Sequence, residues 1–316
     1  MPTVPGGIFD TSTNSSISTD QAALISSFID TLGITETSIT TVTASVGGTT
    51  TIDDTTPTVT TTLSAGQSTN IVLSGTVGKT VIVAGAGNAT VAGGAGSDNI
   101  LSGDGDNSVT GGLGDDRVQG GAGNDFLSGG LGNDTISGGV GNDFIKSDPG
   151  TDLFFGGTGN DTLSAGDASD TLSGGTDLDV IYGNQAGDVV YGNQQNDTLY
   201  GGQGDDTIYG GQNEDVLYGN KGNDALHGNL GSDAFVFESE SGSDVIYDFT
   251  AGSDVIQIRS DVNGSGIVST NDLTLRITAD ASGNAVIDLG SGNEITIVGL
   301  SHGDLLVNLD SYIQIV

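Results

Sequence analysis

The sequence predicts an all-β protein built by stacking short repeats, and three observations predict it. Of the 55 glycines, 38 fall within residues 84–236. Over that stretch the chain divides into 17 consecutive blocks of nine, with no insertion or deletion. The eighth residue of every block is apolar, from Val91, Ile100, Val109 and Val118 through to Leu217, Leu226 and Phe235. A glycine-rich disordered tract would share the composition but not the register, because disorder does not hold an apolar residue at one phase through every block.

Charge and composition divide the chain into three regions. Residues 1–83 are crowded with Thr and Ser and carry six acids and one base. Within them 20–32 reads as a helix, with Leu24, Ile25, Phe28, Ile29 and Leu32 on one face, Asp20 as N-cap and Gly33 as the stop. Such a helix either caps the end of a repeat array or serves self-association. Ile39 to Leu73, broken at Gly47-Gly48 and Pro57, reads as short strands or an extended, weakly ordered segment. Residues 84–236 hold 23 acids against three bases and form the repeat region. Residues 237–316 hold 12 acids and two bases, have fewer glycines, and read as a β-rich cap. In this tail Ala285–Leu289 and Glu294–Leu300 form an expected β-hairpin, joined by Gly290-Ser291-Gly292-Asn293.

Each position of the nonapeptide has a physical task. Blocks such as Gly120–Ser128 (GGAGNDFLS), Gly129–Ser137 (GGLGNDTIS) and Gly156–Ser164 (GGTGNDTLS) give the pattern in full. Glycines at positions one, two and four permit positive φ and close backbone approach, so the chain can turn with its carbonyls exposed. Asn184, Asn193, Asn220 and Asn229 replace the second glycine, and Asn tolerates a left-handed conformation better than other side chains. Positions seven to nine are too short for a free-standing strand and make sense only stacked on identical neighbours. The sixth position is Asp98, Asp116, Asp125, Asp134, Asp143, Asp152, Asp161, Asp170, Asp179, Asp188, Asp197, Asp206, Asp215, Asp224 and Asp233, with Asn107 and Ala89 as the exceptions. One carboxylate per block beside loop carbonyls is a set of hard oxygen donors, which calcium prefers.

This motif, GGxGxDxUx, resembles the nonapeptide of the repeats-in-toxin (RTX) family. The resemblance implies a right-handed parallel β-roll with two nonapeptides per turn and calcium ions between successive loops on each edge. The sixth-position residues, Asn107 included, would then bridge ions of adjacent turns, with at most about 15 inter-loop sites. Several blocks depart from the pattern. Ala168, Asp177, Ala186, Gln195 and Asn213 stand where position four is usually glycine, and Ser147-Asp148-Pro149 replaces one opening Gly-Gly. Weaker or missing ions are expected at 84–92 and around 165–200.

Position nine is Tyr in five consecutive blocks, Tyr182, Tyr191, Tyr200, Tyr209 and Tyr218. Two blocks per turn place Tyr182, Tyr200 and Tyr218 in one outward ladder and Tyr191 and Tyr209 in another, while Phe126 and Phe144 lie one turn apart. These rows either add lateral stability or form an apolar contact stripe for another chain.

The composition excludes several functions. With 41 Asp+Glu against 6 Lys+Arg, the net charge of −35 repels nucleic acid and anionic membranes. No apolar run is long enough to span a bilayer, so membrane insertion is not expected. The chain has no cysteine, no HExxH, histidines only at His227 and His302, and no Ser flanked by Gly at −2 and +2. An enzyme is therefore not expected. The N-terminus lacks the basic and apolar regions of a cleaved signal, and the first basic residue is Lys79. Gly231–Phe237, Ser243–Phe249 and Gly252–Ile256 resemble the segment that follows the roll in type I secreted members, and the closing Tyr312–Val316 resembles their uncleaved C-terminal export signal, implying the type I secretion machinery and an extracellular or cell-surface destination. The expected function is a secreted, calcium-binding structural protein that self-associates into a layer, filament or matrix. A monomeric adhesin or ice-binding module is the alternative, though Thr at loop position three occurs only at Thr158 and Thr176.

Overall fold

The computed structural model describes residues 40–41, 47–53 and 58–316, so the helix expected over 20–32 lies outside the described residues. The chain clusters into two units, residues 1–158 and 159–316, and the described residues of each form a parallel β-solenoid.

In the first unit the strands alternate between two parallel sheets. One contains Thr58–Leu63, Thr80–Gly85, Asn99–Leu101, Arg117–Ala122, Thr135–Val140 and Leu153–Thr158. The other contains Thr49–Ile52, Ser68–Leu73, Asn88–Ala95, Ser108–Leu113, Phe126–Leu131 and Phe144–Lys146. Within the nonapeptides each strand pairs with the strand two blocks on, as in Val109↔Leu127 and Val118↔Ile136. The stacking also runs back before residue 84. Val59 pairs with Val81 and Ile71 with Val91, both wider spacings than two nonapeptides supply. Of the two readings of Ile39 to Leu73 the short strands hold: its described residues form Thr/Val-rich strands of the solenoid at Thr49–Ile52, Thr58–Leu63 and Ser68–Leu73.

The second unit repeats the arrangement and then departs from it. Thr162–Ser164, Val180–Gln185, Thr198–Gln203, Val216–Lys221, Ala234–Phe237, Val255–Ile258 and Ile313–Ile315 stack in parallel. Opposite them lie Thr171–Thr176, Val189–Gln194, Thr207–Gln212, Ala225–Leu230 and Ser243–Ile246, followed in the same sheet by Asn293–Ser301. The expected hairpin is present: Asn284–Gly290 runs antiparallel to Asn293–Ser301, with Gly290, Ser291 and Gly292 all at positive φ in the turn.

Burial follows from the pleat. Position-eight side chains point inward and none exceeds 1% exposure, so each removes a full aliphatic or aromatic side chain from water. Each contributes about 1.5–3 kcal/mol relative to exposure. Positions seven and nine mostly point outward, with Leu101, Ser128 and Val236 buried at position nine. Through most of the nonapeptides the apolar core is one residue wide per strand and the rest of each turn is a glycine loop whose polar groups need other partners, whereas Val81–Ala84, Ile100-Leu101 and Phe235–Phe237 bury consecutive residues.

Candidate metal centre

The sixth-position aspartates are buried on the loop side of the strands, each only 1–3% exposed. Their Oδ1 oxygens form a ladder. In the first unit the Asp98 N–H donates to Asp116 Oδ1 at 2.7 Å, Asn107 to Asp125 at 2.7 Å, Asp116 to Asp134 at 2.8 Å, Asp125 to Asp143 at 2.8 Å and Asp134 to Asp152 at 2.7 Å. In the second unit Asp161 donates to Asp179, Asp170 to Asp188, Asp179 to Asp197, Asp188 to Asp206 and Asp197 to Asp215, each at 2.8 Å. Asp206 donates to Asp224 and Asp215 to Asp233 at 2.9 and 3.0 Å. Oδ1 of each accepting carboxylate therefore holds the neighbouring turn in register.

Oδ2 is left over. In Asp98, Asp116, Asp125, Asp179, Asp188, Asp197, Asp206, Asp215 and Asp224 it is buried without a hydrogen-bond partner. A buried, unpaired carboxylate oxygen is costly unless a cation faces it. Burial pushes the Asp197 and Asp206 carboxyls up to about 8, those of Asp116, Asp125, Asp179, Asp188 and Asp215 to about 7, and those of Asp98, Asp224 and Asp233 to about 6. The accepted backbone N–H opposes burial in each case, and neighbouring carboxylates such as Asp188 and Asp224 around Asp206 raise the value further. Burial likewise raises Asp134.

Two departures from the repeat show what stands opposite these oxygens. Asn107 accepts the Ala89 N–H through Oδ1, like an aspartate, but its Nδ2 donates to Gly105 O at 2.7 Å and Gly103 O at 3.3 Å. The position-two and position-four carbonyls thus converge on the tip of the sixth side chain. In Asn107 an amide donor meets them, so this residue, grouped with the aspartates by position, is satisfied without an ion. In the loop of Asp134 the donor is Ser147, whose Oγ lies 3.2 Å from Asp134 Oδ2 and 3.3 Å from Gly130 O. Where Oδ2 is orphaned, the same place lacks such a donor. Among the described residues no three His, Cys, Asp or Glu side chains cluster as a metal site.

The glycines take a different division of labour from the one the sequence suggests. Positions two and four do adopt positive φ, as at Gly130 (107°) and Gly132 (132°). Asn184, Asn193, Asn220 and Asn229 follow at 65–84°, and Ala168, Asp177, Ala186, Gln195 and Asn213 are also held at positive φ, where a Cβ is strained. Position-one glycines such as Gly201 do not. A Cβ on Gly201 would overlap Oδ2 of Asp206 and stand 2.8 Å from Gly219 O. This glycine is needed for the space the carboxylate fills. Gly201→Ala is therefore expected to leave the backbone conformation intact while costing about 1–3 kcal/mol by overpacking. Denaturant unfolding in saturating calcium, together with a higher calcium midpoint, measures it.

With that geometry in place, the family model for the RTX calcium-binding nonapeptide repeat (four copies) matches residues 74–109, 110–145, 147–181, 182–217 and 200–235, about half of the chain. The chain belongs to the RTX calcium-binding repeat family. No curated protein matches its sequence. The RTX repeats are calcium-binding, and the orphaned Oδ2 atoms with the position-two and position-four carbonyls are the oxygens that would hold the ion. Calcium supplies the positive charge that the buried carboxylates lack.

Two features of the RTX loops escape the nonapeptide reading. Position five forms a second ladder of opposite sense, in which the later residue donates: Asn124 N–H to Asp106 Oδ1, Asn133 to Asp115, Asn142 to Asn124, and in the second unit Asn223 to Asp205 and Ser243 to Asn223. The recurrence of Asn and Asp at position five is its signal. The aspartate ladder also outlasts the repeats, since Asp224 N–H donates to Asp244 Oδ1 and Asp233 N–H to Asp254 Oδ1, both at 3.0 Å.

The outward aromatic rows are stacked. Phe126 and Phe144 lie 5.3 Å apart with rings nearly parallel. Tyr182, Tyr200 and Tyr218 follow at 4.9 and 4.5 Å. Tyr191 and Tyr209, at 5.0 Å, continue through His227 at 4.6 Å to Tyr247 at 4.8 Å, a longer stack than the repeat alone suggests.

Proposed function

We propose that this protein is a secreted, calcium-binding structural protein whose roll closes on extracellular calcium and which then associates with copies of itself into a layer, filament or matrix. The chain passes through the type I secretion machinery unfolded, because cytosolic calcium is too scarce to fill sites of extracellular type, which bind at about 10⁻⁴–10⁻³ M. Outside, up to about 15 ions fill the loops. No catalytic step is assigned to it.

The observation that carries the assembly reading is the exposed stacked aromatics. Phe126, Phe144, Phe155, Tyr182 and Tyr191 remain exposed on the sheet faces, and Leu113, Leu131, Val140 and Leu230 project from loop position three. Rings already stacked on one another have lost their side-chain freedom, so covering their edges with a second copy costs little further entropy. Light scattering with electron microscopy in millimolar calcium tests this. Ordered assemblies are expected for the native chain, and their loss when Tyr182, Tyr200 and Tyr218 are all replaced by Thr, with the β-signal retained. A native chain that stays monomeric in calcium overturns the assembly reading and favours the adhesin.

A further inference from the structure

The last calcium site lies beyond the last nonapeptide. Residues 239–247 and 249–257 can be laid on the repeat once two insertions are allowed, Phe237-Glu238 and Asp248. Gly242 and Gly252 then occupy position four, Asp244 and Asp254 position six, Ile246 and Ile256 position eight. The backbone follows the same alignment. Glu240, at the second position, has φ 66°, and Gly242, at the fourth, has φ 88°. A Cβ on Gly242 would overlap Gly222 O, the carbonyl one turn below, as at ordinary repeat glycines.

The two tail aspartates end the ladder differently. Asp254 is closed: Oδ1 accepts from Asp233 and Oδ2 accepts the Thr250 N–H at 2.7 Å. Asp244 is open. It is 1% exposed, its Oδ1 accepts from Asp224, and its Oδ2 has no hydrogen-bond partner. Beside it lies the buried Ser241 Oγ, near enough for its hydroxyl to favour the charged Asp244 carboxylate but making no hydrogen bond of ordinary geometry. The adjoining carboxylate, Asp224, carries an orphaned Oδ2 of its own. Two adjoining carboxyl groups and a hydroxyl, each with a buried oxygen that makes no hydrogen bond of ordinary geometry, meet where the repeats give way to the cap.

The same loop is the attachment point of the hairpin. Gly242 N–H donates to Asn293 Oδ1 at 2.7 Å, and Glu294 N–H donates to Gly242 O at 2.9 Å. From there Ser243–Ile246 pairs in parallel with Glu294–Ile297. A polar groove lined by Ser239, Glu240, Asn263, Ser291 and Asn293 borders the loop.

We infer that Asp244, with Asp224 and Ser241, holds a divalent cation outside the nonapeptide array, and that this ion fastens the C-terminal hairpin to the roll. The assignment rests on the calcium reading of the repeats and adds to it a site whose occupancy decides whether the tail is docked. Without the ion the loop buries two adjoining carboxyl groups with unpaired oxygens against the strand that receives Glu294–Ile297, and the hairpin has the least reason to stay.

The test uses the full chain and calcium alone, reading amide exchange over Asn293–Ser301 as calcium is raised while circular dichroism follows the roll. Asp244→Asn keeps the acceptor for the Asp224 N–H and removes a buried charge, so a purely structural Asp244 predicts a hairpin as protected as the native one, or more so. As a metal ligand, Asp244→Asn is expected to shift the calcium needed for hairpin protection upward by about tenfold or more, with the roll's own midpoint little changed. Asp254→Asn sets an amide donor against one of the two backbone N–H groups that Asp254 accepts, so it is expected to loosen its own turn while leaving the calcium needed for hairpin protection in place. Ser241→Ala serves where Asp244→Asn does not fold: it is expected to raise the requirement too, whereas a neutral or stabilising effect overturns the assignment. Native-like hairpin protection in Asp244→Asn at low calcium also overturns it. Failure of the underlying reading looks different, since the native chain itself would then show no response to calcium anywhere.

Discussion

In chelator at neutral pH the chain is expected to lose most of its β-signal, and millimolar calcium is expected to restore it. The repeat region carries 23 acids and three bases, and the sixth-position side chains are 1–3% exposed once the loops close. Closing those loops without an ion buries carboxylate after carboxylate with one oxygen unpaired, which no apolar core of one residue per strand can offset. Each calcium replaces a repulsion among oxygens by coordination, so ion binding is folding free energy. Magnesium is expected to be a poor substitute, because it demands near-octahedral geometry at about 2.0–2.1 Å and gives up its water reluctantly. Circular dichroism across a calcium titration is the measurement, with cooperative recovery as the expected form. A spectrum indifferent to chelator would sink the idea that the ions complete the fold.

Much of this is legible in the sequence because the repeat is rigidly periodic. A period of nine with two blocks per turn places Asp206 one turn from Asp188 and Asp224, and Tyr200 against Tyr182 and Tyr218, and the structure has both. Illegibility begins where the period slips. The turns before residue 84 are longer and unequal, as in Val59↔Val81 and Thr80↔Asn99, so no fixed phase marks them. The insertions of Phe237-Glu238 and Asp248 hide Asp244 and Asp254 in the same way. The position-one glycine is misread for a different reason. Sequence shows that a side chain is absent, and only the structure shows that the vacated volume belongs to the sixth-position carboxylate of the same block. Asn107 is the converse case, since its phase groups it with the aspartates while its amide donates to the loop carbonyl of Gly105.

Acid is expected to do part of the work of calcium. In unfolded chains aspartate titrates near about 3.9, whereas burial holds the folded carboxyls of Asp197 and Asp206 at about 8 and those of Asp116, Asp125, Asp179, Asp188 and Asp215 at about 7. The folded state therefore binds more protons than the unfolded one between these limits. For a group raised on folding, the contribution to stability is fully present below the unfolded value and is lost as pH rises through the folded one. In chelator, then, the roll is expected to be least stable at pH 8 and to recover β-structure as pH falls towards 5. Recovery between pH 8 and 6 is the range in which the raised carboxyls of the buried set take up protons. Replacing Asp197 and Asp206 together by Asn removes two of the highest-lying carboxyls while keeping their Oδ1 acceptors. That variant is expected to hold more structure than the native chain in chelator at pH 8, to respond less to acid, and to need more calcium for full order. Thermal unfolding in chelator from pH 8 to 5 decides the matter, and stability that falls with acidification over that range would show that these carboxylates are not buried unpaired in the calcium-free fold.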